Sequence, residues 1–417
     1  MSSRTTLVRA AFLFDGLGPP IADGAVLVDD DRVIAAGPAV EIVAPPAAAT
    51  IDLGDRAILP GLIDAHIHFQ GRRPGSGELP DRPLDALRAA ADARSVLASG
   101  FTTVRDCGSA NGIALRRAIA EGDVEGPRIL AAGPTISQTG GHADWHSLPY
   151  ELLPYFDDDA LIVDGVDECR RAVRRAVRAG ADLVKICTTG GVGSERDHML
   201  DEHFTPAEIE TIVDEAHRLG RRVAAHAQGK GGILNAVQAG VDTIEHGYFL
   251  DEECVELMLA RGTGFVPTFG LIEFFRRTLA EPGDLPAWRI EKQRQCIDAM
   301  ERSFPLAAAA GIPIATGSDD YGIKGRELGR SVEELVAMVR SGGVDPIQVL
   351  RYATSGGARL LGLEGEVGVL TAGAAADLVA VDGRPWDRIE AVRDVAFVMR
   401  GGRVVRAPEE AGEPVLA

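Results

Sequence analysis

His66 and His68 stand two residues apart in the apolar run GLIDAHIHF (61–69), where chemistry first becomes legible in the chain. Side chains alternate along a strand, so both imidazoles project from one face near the strand's end. Such a pair also fits two buried, hydrogen-bonded core histidines. Four other apolar runs carry a polar residue at the same end: Lys185 in DLVKICTTGG (182–191), His226 in RVAAHAQG (222–229), His246 in DTIEHGYF (242–249) and Asp319 in IPIATGSDD (312–320). Each has an ordinary reading of its own. Lys185 snorkels or joins an ion pair, Asp319 caps a helix, and His246 bonds its neighbour Glu245. An unpaired lysine inside an apolar strand is nevertheless strongly disfavoured. Packing alone does not readily put four histidines, an aspartate and a lysine at one rim of five strands. Imidazole nitrogen and carboxylate oxygen without thiolate is the ligand set of a catalytic divalent metal, most often zinc.

The elements that must position these groups follow from the remaining pattern. FTTVRDCG (101–108), RILAAGPTIS (128–137) and GFVPTFG (264–270) complete eight apolar runs, each followed by a segment able to carry a helix. Repeated strand and helix with right-handed crossovers means parallel strands, and eight such units predict an α/β fold, a (β/α)8 barrel. Thr205-Pro206-Ala207-Glu208 reads as a capping box with proline at the first helical position, and Gly220 as the stop. Ser331 with Glu334, and Asp345-Pro346 with Gln348, repeat that start chemistry. Asp319 and Asp320 are expected to face opposite ways as strand neighbours. Residues 138–161 form a long loop with His142, Trp145, His146, Tyr150, Tyr155 and Phe156, a candidate for the substrate side of the barrel. With 70–83, 192–204 and 320–329 it is expected to close the mouth.

Both ends of the chain are β-rich and turn-punctuated, and neither can bury two sheet faces alone. A composite β-sandwich is therefore expected, with 1–58 and 366–417 flanking a barrel at 59–365. The 417 residues carry 43 Lys+Arg against 62 Asp+Glu, a net charge of −19, which argues against a nucleic-acid partner. With 46% hydrophobic and 25% charged residues the composition is that of a globular protein. Five scattered cysteines with no CxxC pair read as reduced thiols in a cytoplasm. No leader pattern or membrane-length apolar segment is evident, so no membrane partner is expected. The expected partners are a small-molecule substrate and further copies of the chain in a homo-oligomer.

PGLIDAHIHF, followed by Lys185, His226, His246 and Asp319, resembles the amidohydrolase superfamily along essentially the whole chain, and AGAAADLVAVDG near the C-terminus resembles the return to its β-sandwich. The resemblance implies two divalent metal ions, with zinc expected. His66, His68 and Asp319 would hold one, His226 and His246 the other, and a carboxylated Lys185 would bridge them. Single-metal deaminases of the superfamily carry a glutamate three residues after the strand-five histidine. Here Gly229 stands there, which favours the binuclear hydrolases. TGGH (139–142) and EHG (245–247) resemble a subgroup of Xaa-Pro and Xaa-amino-acid dipeptidases related to imidazolonepropionases.

That resemblance implies hydrolysis of an amide bond in a dipeptide or N-acyl amino acid. Asp319 would move the proton, His142 would meet the substrate carbonyl or carboxylate, and Tyr248 would line the substrate. His198 and His203 follow strand four without an assigned role, as does His146, and His217 reads as a plain helical residue. The rival readings are hydrolysis of a cyclic amide, carbamate or ester by the same machinery, and a scaffold that has lost its chemistry.

Overall fold

The computed structural model describes residues 5–73, 80–322 and 325–408. The two ends of the chain meet in one sheet. Its strands run in the order Arg403–Arg406, Val395–Arg400, Leu378–Val381, Ala57–Pro60, Thr5–Leu13, Ile21–Asp29 and Arg32–Pro38, with Ala49–Asp52 added against Thr5–Leu13. The seam between the ends is an antiparallel ladder in which Leu378 faces Pro60 and Ala380 faces Ile58. Alternation along this ladder divides its side chains between two cores. Ile58, Leu378 and Ala380 pack with Val8, Val26 and Phe397. Ala57, Leu59, Val379 and Val381 join the main core of the molecule. The fully buried Leu59 is thus a bolt between the layers, and truncating it to alanine should cost about 2–5 kcal/mol.

The middle of the chain is built from parallel strands and helices. Leu62–Ile67, Phe101–Asp106 and Arg128–Ala131 form one ladder. Ala160–Ile162, Thr135–Ser137, Leu183–Cys187, Arg222–Ala227, Thr243–His246 and Gly264–Val266 form a second. A hydrogen bond of 2.8 Å from Asp182 N to Ala131 O joins them on one side. The expected closed ring of eight strands is not what these ladders make. The third run, 128–137, divides at Gly133 (φ 69°) and Pro134, and Ala160–Ile162 adds a strand beside its second half.

The eighth run, 312–320, makes only isolated bridges, Ile314 to Phe265 and Asp320 to Ile67. Asp319, with φ 53°, turns its backbone out of the extended region there. Its hydrogen bonds still run to both neighbours: Phe265 N to Pro313 O at 2.8 Å, Ala65 N to Thr316 O at 2.8 Å and His68 N to Asp320 O at 2.9 Å. The segment carrying Asp319 is therefore held against the strand of His66 and His68.

The helices start largely where their caps predict. Thr205 and Glu208 form a reciprocal capping box on Pro206–Arg218, and Ile209, Ile212, Val213 and Ala216 are buried along one stripe. Asp345 accepts from Ile347 N and Gln348 N at the start of Pro346–Tyr352. Val332–Arg340 begins after Ser331, but without the expected side-chain cap. Ser331 Oγ lies 3.4 Å from Ser318 Oγ, and Glu334 accepts from Phe269 N and Gly270 N. Burial beside the strand ends turns these capping residues towards their tertiary neighbours.

Candidate metal centre

His66, His68 and Asp319 converge, with one ligand atom from each lying within 4.8 Å of the others. The Nε2 atoms of His68 and His66 lie 3.0 and 3.6 Å from Asp319 Oδ1. Each imidazole is oriented from behind. His66 Nδ1 donates to Glu245 Oε2 at 2.8 Å, and His68 Nδ1 donates to the carbonyl of Gly108 at 2.8 Å. A carboxylate and a carbonyl can only accept, so both rings keep their Nε2 lone pairs for the cluster. Burial and the facing charge of Lys185 push His66 down to about 4, so its ring is neutral, as a ligand must be. Burial works against ionisation of Asp319, but Arg326, His68 and His66 hold it well below the usual carboxylate range.

His246 and His226 lie beside this group. Their ring centroids are 4.6 Å apart, and His246 is 5.0 Å from His66. His246 Nδ1 contacts Thr268 Oγ1 at 2.8 Å, and that hydroxyl donates to Pro267 O at 2.7 Å. The hydroxyl must therefore accept from His246, which leaves Nε2 of this ring free as well. His226 is turned the other way, with Nε2 3.2 Å from Gly190 O. Burial, together with neighbouring imidazoles and Lys185, holds both rings well below the ordinary histidine value. Lys185, only 3% exposed, puts Nζ 3.4 Å from His66 Nε2. Among the described residues it has no carboxylate partner. His246 and Asp319 adopt left-handed backbone conformations, φ 73° and 53°, which side-chain-bearing residues rarely hold without support from their surroundings.

The donor set fits a divalent cation: neutral imidazoles and an ionised carboxylate converge, each fixed by a group behind it. A second grouping, His66 with Cys107 and Glu245, fits poorly. There the Nδ1 atom is committed to Glu245, and burial pushes the Cys107 thiol up to about 12.

His142 reaches the cluster from the long loop, its ring stacked on His226 with centroids 4.1 Å apart. Its Nδ1 bonds Ser194 Oγ at 2.9 Å, and Ser194 in turn donates to Asp197 Oδ1 at 2.5 Å. The buried Lys292 ties the 191–197 segment down through the carbonyls of Gly191, Ser194 and Asp197. Tyr248 is 1% exposed, its ring 5.7 Å from His246, and its hydroxyl has no hydrogen-bond partner among the described residues. The converging imidazoles, Lys185 and Asp319, together with His142 and Tyr248, open into one cavity of about 570 Å³, walled by Trp145, Phe274, Phe275, Trp288 and Tyr321.

His146 lines the same cavity and accepts from Arg196 N at 3.3 Å. His198 accepts from Leu200 N and His203 is buried, but neither is among the residues lining the cavity. His217 pairs with Asp242 at 2.9 Å on the surface. The 70–83 and 320–329 segments fall partly on residues 74–79 and 323–324, which lie outside the described residues.

Two sequence expectations change. Glu245 serves His66 rather than its neighbour His246, and it also binds Arg105 Nη2 at 2.7 Å. The signal that marks Lys185, a charged residue inside an apolar strand, also stands in FTTVRDCG and DTIEHGYF at Arg105 and Glu245. Asp319 and Asp320 do not face cleanly apart, because Arg326 lies 3.3 Å from Asp319 Oδ2 and 3.8 Å from Asp320 Oδ1. Asp197, Ser194 and Thr268 carried no sequence signal.

With this geometry, the chain belongs to the amidohydrolase family, whose model matches residues 57–406. It is 31% identical to ochratoxinase from Aspergillus niger over 99% of this chain and 90% of that protein. The crystal structure of A. niger ochratoxinase superposes with a TM-score of 0.89 over 98% of this chain and 97% of that one. A Xaa-Pro dipeptidase with bound methionine in its active site is 33% identical, with a TM-score of 0.86 over 96% and 99% of the two chains. A prolidase complexed with N-methylphosphonate-L-proline is 32% identical, with a TM-score of 0.86 over 97% of this chain and 100% of that one. The protein is thus a hydrolase acting on carbon–nitrogen bonds, in a family that acts on small molecules with divalent metals. None of the helices among the described residues is long and apolar enough to cross a membrane.

Proposed function

We propose that the protein is a cytoplasmic, homo-oligomeric, metal-dependent amidohydrolase that cleaves the amide bond of a dipeptide or N-acyl amino acid. The carrying observation is the outward hold on three imidazoles: Nδ1 of His66, His68 and His246 each donates away from the cluster, so that Nε2 is free beside Asp319 and Lys185. His66, His68 and Asp319 would hold one ion, His226 and His246 a second, with zinc the expected metal. Lys185 carboxylated on Nζ is the proposed bridge. Carboxylation turns a buried cation without a counter-ion into an anionic ligand, which removes its desolvation problem. When bound, two such ions supply Lewis-acid polarisation of the scissile carbonyl and a water acidic enough to attack at neutral pH.

The chain's own residues do the rest. Asp319, held ionised by Arg326, takes the attacking water's proton at its carboxylate and returns it to the leaving nitrogen. His142, locked by Ser194, presents its other ring edge to the substrate carbonyl. Tyr248 offers an unpartnered hydroxyl to the substrate. The aromatic walls keep bulk water from the reacting bond. The two parallel ladders and the bridging run 312–320 are read as one (β/α)8 barrel over 59–365, flanked by a composite β-sandwich of 1–58 and 366–417. The ochratoxinase, dipeptidase and prolidase relatives support an amide substrate.

The test is a panel of dipeptides and N-acyl amino acids, set beside cyclic amides and esters, with elemental analysis of protein expressed with zinc and bicarbonate. About two ions per chain and turnover of linear amides are expected. Turnover confined to cyclic amides or esters, or one ion or none, would overturn the proposal.

A further inference from the structure

The hold on His246 depends on a strained residue. Thr268 is fully buried, its hydroxyl receives the Nδ1 proton of His246, and its backbone is left-handed at φ 50°. A β-branched residue rarely takes that conformation unless its surroundings impose it. The residues that follow show what does so. Phe269 N donates to Glu334 Oε1 at 3.0 Å and Gly270 N to Glu334 Oε2, while Leu271 N closes back on Thr268 O at 3.1 Å.

Glu334 is 1% exposed and has no cationic partner among the described residues. Its carboxyl group also meets the backbone N–H of Gly317, two residues before Asp319. An interior carboxyl group with no cation beside it is costly to keep unless donors meet it. Both of its oxygens can accept, whereas the amide nitrogen of a glutamine only donates. Two N–H groups, one on each oxygen, are therefore served by glutamate and not by its amide. Gly270 lets the turn come this close, because a Cβ there would lie 3.1 Å from Glu334 Oε2 and 3.4 Å from Glu334 Cα. Glu334 stands in the first turn of the helix Val332–Arg340, and Ser331 just before that helix has its Oγ 3.4 Å from Ser318 Oγ, beside Asp319. One helical turn thus touches the backbone behind His246 and the backbone behind Asp319.

We infer that Glu334 is a positioning residue for the second metal ion: by gripping Phe269 N and Gly270 N it holds the Thr268 turn, and so keeps Nε2 of His246 aimed at the cluster. This rests on the proposed ion at His226 and His246. Losing either N–H bond frees Thr268 to relax towards ordinary backbone, and its hydroxyl then leaves His246 Nδ1. An imidazole without that acceptor carries its proton on either nitrogen, and a proton on Nε2 blocks the ligand atom.

The test is zinc affinity, by competition with a chelator, in the full chain and in its Glu334→Gln, His246→Ala and doubly substituted forms. Glu334→Gln should weaken one of the two ions about 10–100-fold, the typical worth of a group behind a ligand. With His246 already replaced, adding Glu334→Gln should change zinc affinity by less than about 2-fold, because the grip acts through that ring. NMR of the metal-free protein with isotope-labelled histidine gives a second readout. The His246 proton should sit on Nδ1 in the wild type and spread over both nitrogens in Glu334→Gln. Gly270→Ala should reproduce both shifts in milder form, although alanine favours a helix more than glycine does, and it decides the point should Glu334→Gln not fold. An equal loss of zinc with and without His246, or a wild-type tautomer in both variants, overturns the inference. A wild type that binds fewer than two ions would sink the binuclear reading and leave the tautomer to decide the role of Glu334. Two ions with a tautomer indifferent to Glu334 would sink that role alone.

Discussion

Replacing Glu245 by glutamine should separate the support of the metal centre from its ligands. Glu245 is wholly buried and its two oxygens are committed, one to His66 Nδ1 at 2.8 Å and the other to Arg105 Nη2 at 2.7 Å and Thr243 Oγ1 at 2.5 Å. Arg105 is itself 4% exposed, with Nε donating to Ala65 O at 2.6 Å. The amide of glutamine keeps one acceptor but brings a donor face to either the imidazole or the guanidinium. One of those hydrogen bonds must be lost, and the Arg105 charge is left without its counter-ion. Breaking a buried pair in this way costs about 3–5 kcal/mol of stability. Losing the carboxylate behind a ligating histidine typically weakens metal affinity by about 10–100-fold. The expected result is therefore two losses together: a lower denaturant midpoint in the metal-free protein, and weaker zinc in a competition titration with a chelator.

The charge also sets a pH dependence. Burial opposes ionisation of Glu245, but Arg105 and His66 hold its folded pKa below the ordinary 4.5. Its stabilising share is present above pH 4.5 and lost as pH falls through the lower folded value. Glu245→Gln should flatten the acid limb of the stability profile. Wild-type zinc affinity in Glu245→Gln would refute the argument that His66 is oriented from behind.

Three further outcomes are expected. Asp319→Asn should retain most of the metal while turnover falls by roughly 10²–10⁴, the usual worth of general acid–base catalysis; near wild-type turnover would remove Asp319 from the proton path. A Cβ at Gly191 would sit 2.2 Å from His142 Cε1, so Gly191→Ala should push that ring off His226 and lower kcat with metal content unchanged, and unaltered kcat would argue against a role for His142. Burial pushes Glu334 up to about 8, so its share of stability is full below pH 4.5 and lost as pH rises through about 8; denaturant midpoints of Glu334→Gln should be flatter across that window, and a wild-type slope would contradict this.

The His-x-His spacing, the rim positions of Lys185, His226, His246 and Asp319, and the capping box at Thr205 were legible in the chain. Each depends on a local period or on a residue type that burial makes expensive. The pairing of the two ends was legible for a similar reason, since neither β-rich end could cover its own apolar face. What holds the centre was decided only by the tertiary structure. Glu245 meets His66 from 179 residues away and Arg105 from 140, and Thr268 and Ser194 turn His246 and His142 from 22 and 52 residues away. Such pairings have no period, because they arise where separate strands end beside one another. The same holds for the 312–320 run, whose apolar pattern reads as a strand. The left-handed turn at Asp319 breaks that strand. A local conformational cost there is met by hydrogen bonds from the neighbouring strands, and these exist only once the chain has folded around it.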